Sequence, residues 1–123
     1  MARVDGILAA YYAHRERAMS PTSVHVSDGH RRVDRALHIG GTIVLGRASL
    51  HTTEAVVLRA YYLTLTPAHV TAAELAPDGD AGCDVVESFV DWRVMAVALG
   101  VASTTALRHW RDGRAKVQAA LHC

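Results

Sequence analysis

Eight polar side chains near the C-terminal end of the sequence have the types and the spacing to bind a nucleic acid. Their hydroxyl, imidazole, guanidinium and ammonium groups donate hydrogen bonds, which base edges and phosphate oxygens accept. Five are predicted to reach base edges or nearby phosphates from the start and outer face of one helix: Ser103, Thr104, Thr105, Arg108 and His109. The other three are predicted to contact phosphates, which positions a protein on DNA without reading its sequence: Arg111, Arg114 and Lys116.

Two helices and a tight turn, from Trp92 to Leu121, would have to hold these side chains in place. Gly100 is expected to end the first helix, because glycine adopts the left-handed conformation at little steric cost. Val101 is expected to point back as an apolar plug, and the small side chain of Ala96 lets the second helix approach closely. Spacings of three and four predict one shared apolar face on the first helix: Val94, Met95, Ala98 and Leu99.

The second helix combines an apolar stripe with a polar face that carries arginines, as a recognition helix in the major groove requires. Between Trp92 and Leu121 there are five Arg or Lys residues and a single acid, Asp112. An ordinary helical hairpin packed on a core is the alternative interpretation. The short turn, the apolar positions and the basic charge favour a DNA-binding helix-turn-helix. The stripe predicted to be buried consists of Ala106, Trp110, Val117 and Ala120.

The length and composition of the chain indicate one globular domain. Its 123 residues are enough for one core, and its net charge of +1 creates no global field that attracts nucleic acid. Two cysteines, Cys83 and Cys123, are too few for a disulfide framework, which favours the reducing cytoplasm. No apolar run approaches the ~20 residues of a membrane span, and no signal-peptide pattern occurs. We therefore expect a cytoplasmic protein that contacts no membrane.

Negative charge is concentrated immediately before the basic helices. Pro77–Gly82 is the strongest turn signal in the chain, and we predict that residues 64–91 form an acidic insertion or surface loop. Such charge asymmetry indicates either a surface for a different partner or a solvated loop. Six carboxylates and no Lys or Arg lie between residues 74 and 91: Glu74, Asp78, Asp80, Asp84, Glu87 and Asp91.

Helical patterns also cover the N-terminal half of the chain. We predict helices over residues 3–19, about 30–46 and 52–63, and a short helix that begins at Thr66-Pro67. The helix over 52–63 has the clearest pattern. We expect Thr52 or Thr53 to cap it. Its apolar face is predicted to contain Val57, Leu58, Tyr61 and Tyr62.

The predicted fold class is all-α, with about five helices in a compact bundle that ends in a helix-turn-helix. Residues 1–123 are predicted to form one helical domain. The N-terminal helices occupy residues 3–63, and the helix-turn-helix occupies 92–121.

The order of these segments resembles region 4 of bacterial sigma factors. A helix reading T-T-E-A-V-V-L-R-A-Y-Y precedes the A-V-A-L-G-V turn and the basic last helix. The chain is still more similar to the small late-gene antiterminators of the phage 21 Q class. These begin with a tryptophan- or tyrosine-bearing helix and end in a helix-turn-helix. In both families the Tyr-Tyr helix runs almost directly into the helix-turn-helix, whereas about 28 residues, Leu63 to Val90, intervene here.

Signatures of enzymes and of metal sites do not occur in the sequence. The eight histidines lack the spacing of metal ligands, since His25 and His30 are five apart and His109 and His122 thirteen apart. Neither H-E-x-x-H nor C-x-x-C is present, and hydrolase and P-loop motifs are missing as well. We therefore predict that the protein is not an enzyme and uses neither a cofactor nor a metal ion.

Two functional hypotheses follow from these patterns and from the resemblance. The first is a DNA-binding transcription regulator that binds double-stranded DNA through its C-terminal helix-turn-helix. The resemblance implies a phage or prophage antiterminator that also contacts host RNA polymerase. The alternative is a phage or accessory protein that binds and inhibits a host protein through its acidic surface, without binding DNA.

Overall fold

Helices make up most of the part of the chain that the structure describes, residues 3–14 and 42–121 of a computed structural model. These ranges contain no strand, so the predicted all-α class is confirmed, but they hold seven α-helices where about five were predicted. None of the described helices is both long and apolar enough to cross a membrane. The helices are α1 (Val4–Ala9), α2 (residues 42–48), α3 (Thr52–Thr64), α4 (Pro67–Leu75), α5 (Asp80–Glu87), α6 (Trp92–Leu99) and α7 (Ser103–Leu121).

The N-terminal helix changes its geometry after Ala9. There α1 continues as a π-helical turn, Ala10–His14. Val4 and Leu8, one turn apart on the same side of this helix, are fully buried. The remainder of the predicted first helix, residues 15–19, lies outside the described residues, as does the part of the predicted second helix before residue 42.

Helix α3 lies at the centre of the core, as its sequence pattern predicted. Its four predicted inward-facing residues are all buried: Val57, Leu58, Tyr61 and Tyr62. The predicted cap was wrong, because His51, not Thr52 or Thr53, is the N-cap residue. The Glu54 carboxylate accepts a hydrogen bond of 2.9 Å from the backbone N–H of His51, which satisfies one of the free donors at the start of the helix.

The acidic segment, residues 64–91, was predicted to be an insertion or a surface loop, and the loop form of that prediction is corrected. Most of it is helical, in α4 and α5. The prediction that α4 starts at Thr66-Pro67 is confirmed, since the Thr66 hydroxyl accepts from the backbone N–H of His69. Asp78, in the predicted loop, accepts a 2.8 Å hydrogen bond from the backbone N–H of Val4. The bend at residues 77–79, immediately before α5, is thus fixed against the first helix.

The core forms where α7 packs on α3 and α6, and where α1 packs on α4. Two tyrosine hydroxyls of α3 form hydrogen bonds to neighbouring helices. Tyr61 donates to the backbone carbonyl of Val86 in α5, and Tyr62 donates to the Asp5 carboxylate in α1 at 2.6 Å. Burial raises the pKa of both phenols, so both remain protonated donors at neutral pH. The C-terminal pair of helices therefore rests on a core to which every earlier described helix contributes.

Gly82 in α5 marks the closest backbone approach in the acidic segment. A Cβ atom there would overlap the backbone carbonyl of Pro77 and lie 3.3 Å from Arg114 Nη2. Gly82→Ala is therefore expected to lower the free energy of unfolding by ~1–3 kcal/mol, measured by urea titration, because the turn must shift. Gly46→Ala is the matched control, since Gly46 faces open space in helical backbone and should gain stability. Equal effects of the two substitutions would contradict the close approach.

Candidate nucleic-acid interface

Helix α6 has a side-chain cap at its start and backbone hydrogen bonds at its end, where the turn to α7 begins. The Asp91 carboxylate caps α6 by accepting from the backbone N–H of Arg93 at 3.0 Å. Gly100 has a φ of 71°, in the left-handed region, which confirms its predicted role at the end of α6. The backbone N–H of Val101 then donates to the carbonyl of Ala96 at 3.1 Å, and α7 begins at Ser103. These contacts fix where α6 begins and ends.

The inner face of α7 fixes the rotation of the helix about its axis. All four residues of the predicted apolar stripe are buried: Ala106, Trp110, Val117 and Ala120. The Trp110 ring lies 5.1 Å from the Tyr61 ring and 5.5 Å from the Trp92 ring, measured between centroids. With this stripe held inward, the opposite face of α7 points to solvent.

The apolar face predicted for α6 is only partly correct. Met95 and Ala96 are buried and Leu99 is half-buried, because these residues face α7 and the core. Val94 is 67% exposed and Ala98 is also exposed, so both lie on the solvent side. Val101 is 40% exposed, so the prediction that it serves as a buried plug was wrong. With Val97, which is 84% exposed, Val94 leaves an apolar strip on the outside of α6.

The predicted base-reading residues occupy the first two turns of α7. Thr104 and Arg108 are exposed and one turn apart, so they share a face of the helix. Ser103, Thr105 and His109 are half-buried beside that face. The structure therefore brings these five residues together, with Thr104 and Arg108 presented most fully to solvent.

The three predicted phosphate contacts differ in position, and two of them form ion pairs at the surface. Arg111 lies near Arg108 on the outer face, and its Nη2 is 2.5 Å from Glu87 Oε2 at the end of α5. This hydrogen bond from the guanidinium to the Glu87 carboxylate raises the pKa of Arg111. Lys116 is further along the helix, where its Nζ lies 2.7 Å from Glu54 Oε1 in α3. Burial alone would raise the pKa of Glu54, but the hydrogen bonds from Lys116 and the His51 backbone hold it below its usual value.

Arg114 occupies the interior of the protein, so its prediction as a phosphate contact is corrected. The residue is only 3% exposed. Its Nη2 lies 2.7 Å from Asp5 Oδ2, and its Nη1 donates to the backbone carbonyl of Gly79 at 3.3 Å. The interior location follows from its spacing, because Arg114 is one turn after Trp110 on the inward face of α7. Its guanidinium is not available to a ligand at the surface.

Charge on the outer face of α7 is consequently lower than the sequence suggested. Arg111, Arg114 and Lys116 each pair with a carboxylate from another helix. Arg108 is the one cation of α7 that makes neither a hydrogen bond nor an ion pair with another described residue. Among the described residues, α7 therefore presents one guanidinium without a partner, that of Arg108, next to the hydroxyl of Thr104.

An open groove of ≈ 270 Å³ lies in the angle between the beginnings of α6 and α7. It places Arg93, whose side chain is 87% exposed, beside the first turn of α7. Within the described part of the chain, the Arg93 side chain makes one long ion pair, 3.6 Å from its Nε to Asp91 Oδ1. Our sequence-based set of site residues omitted Arg93, although its place at the start of the first helix could have suggested it. The groove is lined by Val90, Asp91, Trp92, Arg93, Ser103, Thr104 and Leu107.

Metal-binding groups do not cluster in the part of the chain described here. Across residues 3–14 and 42–121, no three His, Cys, Asp or Glu side chains are grouped so as to hold an ion. Comparison with known proteins adds no identification: no protein-family model, curated protein or solved structure matches the chain. The chemistry that this surface offers is hydrogen bonding from the start of α7 and positive charge from the exposed Arg108 and Arg93.

Proposed function

We propose that α6, the turn and α7 act as a helix-turn-helix that binds double-stranded DNA, and that the protein is a transcription regulator. One observation carries the proposal. The first two turns of α7 present Thr104 and Arg108 to solvent, on the side opposite the buried Trp110 stripe, and Arg108 has no ion pair with a described residue. A helix inserted in the major groove needs an inner face that anchors it and an outer face that donates hydrogen bonds.

The beginning of α7 has the size and the chemistry for base recognition. The major groove is about 12 Å wide and admits one helix with its side chains. Arg108 can donate from its planar fork to the two acceptors of a guanine, N7 and O6. Arg93, across the groove from Thr104, is placed to contact a backbone phosphate next to the same base pairs. The second half of α7, with Arg114 inside and Lys116 paired, packs on the core and lies outside this contact.

The pairing of the other cations changes the expected character of DNA binding. Each phosphate contact makes the slope of log affinity against log salt concentration more negative by about 0.9. With Arg108 and Arg93 as the main cations, we expect a slope of about −1 to −3, measured on a random-sequence duplex. Most of the affinity would then depend on specific contacts at the start of α7, because the net charge of +1 supplies little general attraction.

Arg108→Ala should separate sequence reading from general attraction. On a duplex selected from a random pool with the wild-type protein, we expect the substitution to cost ~1–3 kcal/mol of binding free energy. On a scrambled duplex the loss should be far smaller, because no guanine contact exists there to be lost. Fluorescence anisotropy with both duplexes provides the measurement.

Arg47→Ala is the matched control, since it removes an exposed arginine from α2. It should change binding to either duplex by less than ~0.5 kcal/mol. Equal losses for Arg108→Ala on the two duplexes would show that α7 does not read sequence at this position. If the wild-type protein binds no duplex, the DNA-binding proposal fails.

The proposed role in antitermination rests on the sequence resemblance to the late-gene antiterminators. An antiterminator would contact host RNA polymerase as well as DNA. A transcription assay with purified polymerase tests it. Added protein should increase read-through of a terminator when the template carries the selected DNA site near the promoter. If the protein binds the DNA site but does not change read-through, the antitermination role fails and the proposal reduces to a DNA-binding regulator.

A second candidate function is protein binding without DNA, favoured by the apolar strip of α6. Val94 and Val97 are large hydrophobic side chains at the surface, 67% and 84% exposed. Contiguous exposed apolar side chains often mark a contact with another protein. The acidic surface is less extensive than the sequence suggested, because Asp78, Glu87 and Asp91 have partners within the fold. Val97→Ser should abolish partner binding under this second hypothesis and leave DNA binding unchanged under the first.

A further inference from the structure

Arg111 is the second arginine on the outer face of α7, but its guanidinium forms an ion pair with a carboxylate from α5. Its Nε and Nη2 both donate to the same oxygen, Glu87 Oε2, at 2.9 and 2.5 Å. These two donors form one edge of the guanidinium fork, which is also the edge that binds a phosphate in two-point contacts. Arg111 is still 51% exposed, so the pair lies at the surface and not in the core.

The Glu87 carboxylate is held where it is by the fold. Glu87 is the last residue of α5, and its side chain is only 20% exposed. Its backbone carbonyl accepts a 3.0 Å hydrogen bond from the indole Nε1 of Trp92, the first residue of α6. The same residue thus joins α5 to both helices of the proposed DNA-binding unit, by its backbone to α6 and by its carboxylate to α7.

We infer that Glu87 is an autoinhibitory residue that competes with DNA phosphate for the guanidinium of Arg111. This inference rests on the proposed DNA-binding function. Arg111 follows Arg108 by three residues, so the two side chains project from neighbouring positions on one face. A helix that reads a base through Arg108 brings a phosphate within reach of Arg111. The phosphate must displace Glu87 to be bound, so the pair lowers affinity for DNA of any sequence.

Removing the competing carboxylate should therefore strengthen binding without changing its specificity. For Glu87→Gln we expect about two- to fivefold tighter binding on both the selected and the scrambled duplex, the range that one half-exposed ion pair allows. The salt slope should steepen by about 1, because one more phosphate is contacted. Asp80→Asn is the matched control, since it removes one exposed negative charge from the same helix. It should give a distinctly smaller gain.

A double substitution tests whether the tighter DNA binding of Glu87→Gln depends on Arg111. Arg111→Ala should change binding little in the wild-type background, where Glu87 occupies the guanidinium. In the Glu87→Gln background the same substitution should remove the whole two- to fivefold gain. A gain that persists in the double variant, or one matched by Asp80→Asn, would mean that only overall charge had changed, and would overturn the inference.

The outcomes separate the inference from the proposed function beneath it. If the wild-type protein binds the duplex and loses affinity with Arg108→Ala, but Glu87→Gln binds no more tightly, the inference is overturned and the proposed function stands. If no variant binds any duplex, both are overturned. Circular dichroism and the thermal midpoint of each variant confirm that it is folded, as expected for an ion pair at the surface.

Discussion

Trp110→Ala is expected to lower the free energy of unfolding by ~3–5 kcal/mol and to abolish DNA binding. Trp110 is fully buried, and its ring contacts both Tyr61 of α3 and Trp92 of α6. Truncation would remove the largest side chain between these three helices and leave a cavity that the packed rings cannot fill. Urea unfolding followed by circular dichroism measures the loss. An unchanged transition would show that the inward face of α7 is misplaced.

Trp110→Phe provides the sharper comparison at the same position. The indole Nε1 of Trp110 is buried and has no hydrogen-bond partner among the described residues. Burying such a donor without an acceptor costs ~1–3 kcal/mol, and phenylalanine avoids that cost. The favourable change offsets part of the lost ring area, so Trp110→Phe should cost less than ~2 kcal/mol. A loss as large as that of Trp110→Ala would mean that the indole N–H has an acceptor in solution.

The parts of the fold that the sequence predicted are those governed by short-range periodicity. In α3 and α7 the apolar residues recur at three and four positions, so the inward faces were identified from the chain alone. The start of α4 at Thr66-Pro67 and the left-handed Gly100 also depend on one or two neighbouring residues. Such features are local, and a single sequence contains the information needed to predict them.

The structure of the acidic segment was mispredicted because contacts between residues distant in the sequence determine it. The break predicted at Pro77–Gly82 is found at residues 77–79, whereas Asp80–Gly82 begin α5. The sequence could not show that Asp78 accepts from Val4, 74 positions earlier. Nor could it show that α5 packs under Tyr61 through Val86. Strong turn residues together with negative charge are typical of an exposed loop, and here tertiary contacts override that tendency.

The charges of the last helix were misjudged for a related reason. Counting residues revealed a basic segment, but only the structure shows that three of its cations pair with carboxylates of other helices. Arg111 pairs with Glu87, 24 positions away, and Lys116 with Glu54, 62 positions away. The proposed site therefore shrinks from eight residues to the start of α7, with Thr104 and Arg108 at its centre and Arg93 added from α6.

Arg114→Met is expected to lower the free energy of unfolding by ~3–5 kcal/mol, an effect of similar size to that of Trp110→Ala. Arg114 and Asp5 are 3% and 0% exposed, and they join the last helix to the first across 109 positions of sequence. Methionine fills most of the space but leaves the Asp5 carboxylate buried with the Tyr62 hydroxyl as its remaining side-chain donor. Urea titration measures the loss.

The double variant Asp5→Asn/Arg114→Met tests whether the loss of stability comes from the Asp5 carboxylate, which Arg114→Met leaves buried without its guanidinium partner. The neutral amide has nearly the shape of the carboxylate, and its oxygen can still accept from the Tyr62 hydroxyl, which is 2.6 Å from Asp5 Oδ1. We expect the double variant to recover at least half of the stability lost in Arg114→Met, because neither buried charge remains. If Arg114→Met instead cost less than ~1 kcal/mol and weakened DNA binding, Arg114 would be the surface phosphate contact that its sequence position first suggested. Stability loss and binding loss thus distinguish an interior anchor from a DNA ligand.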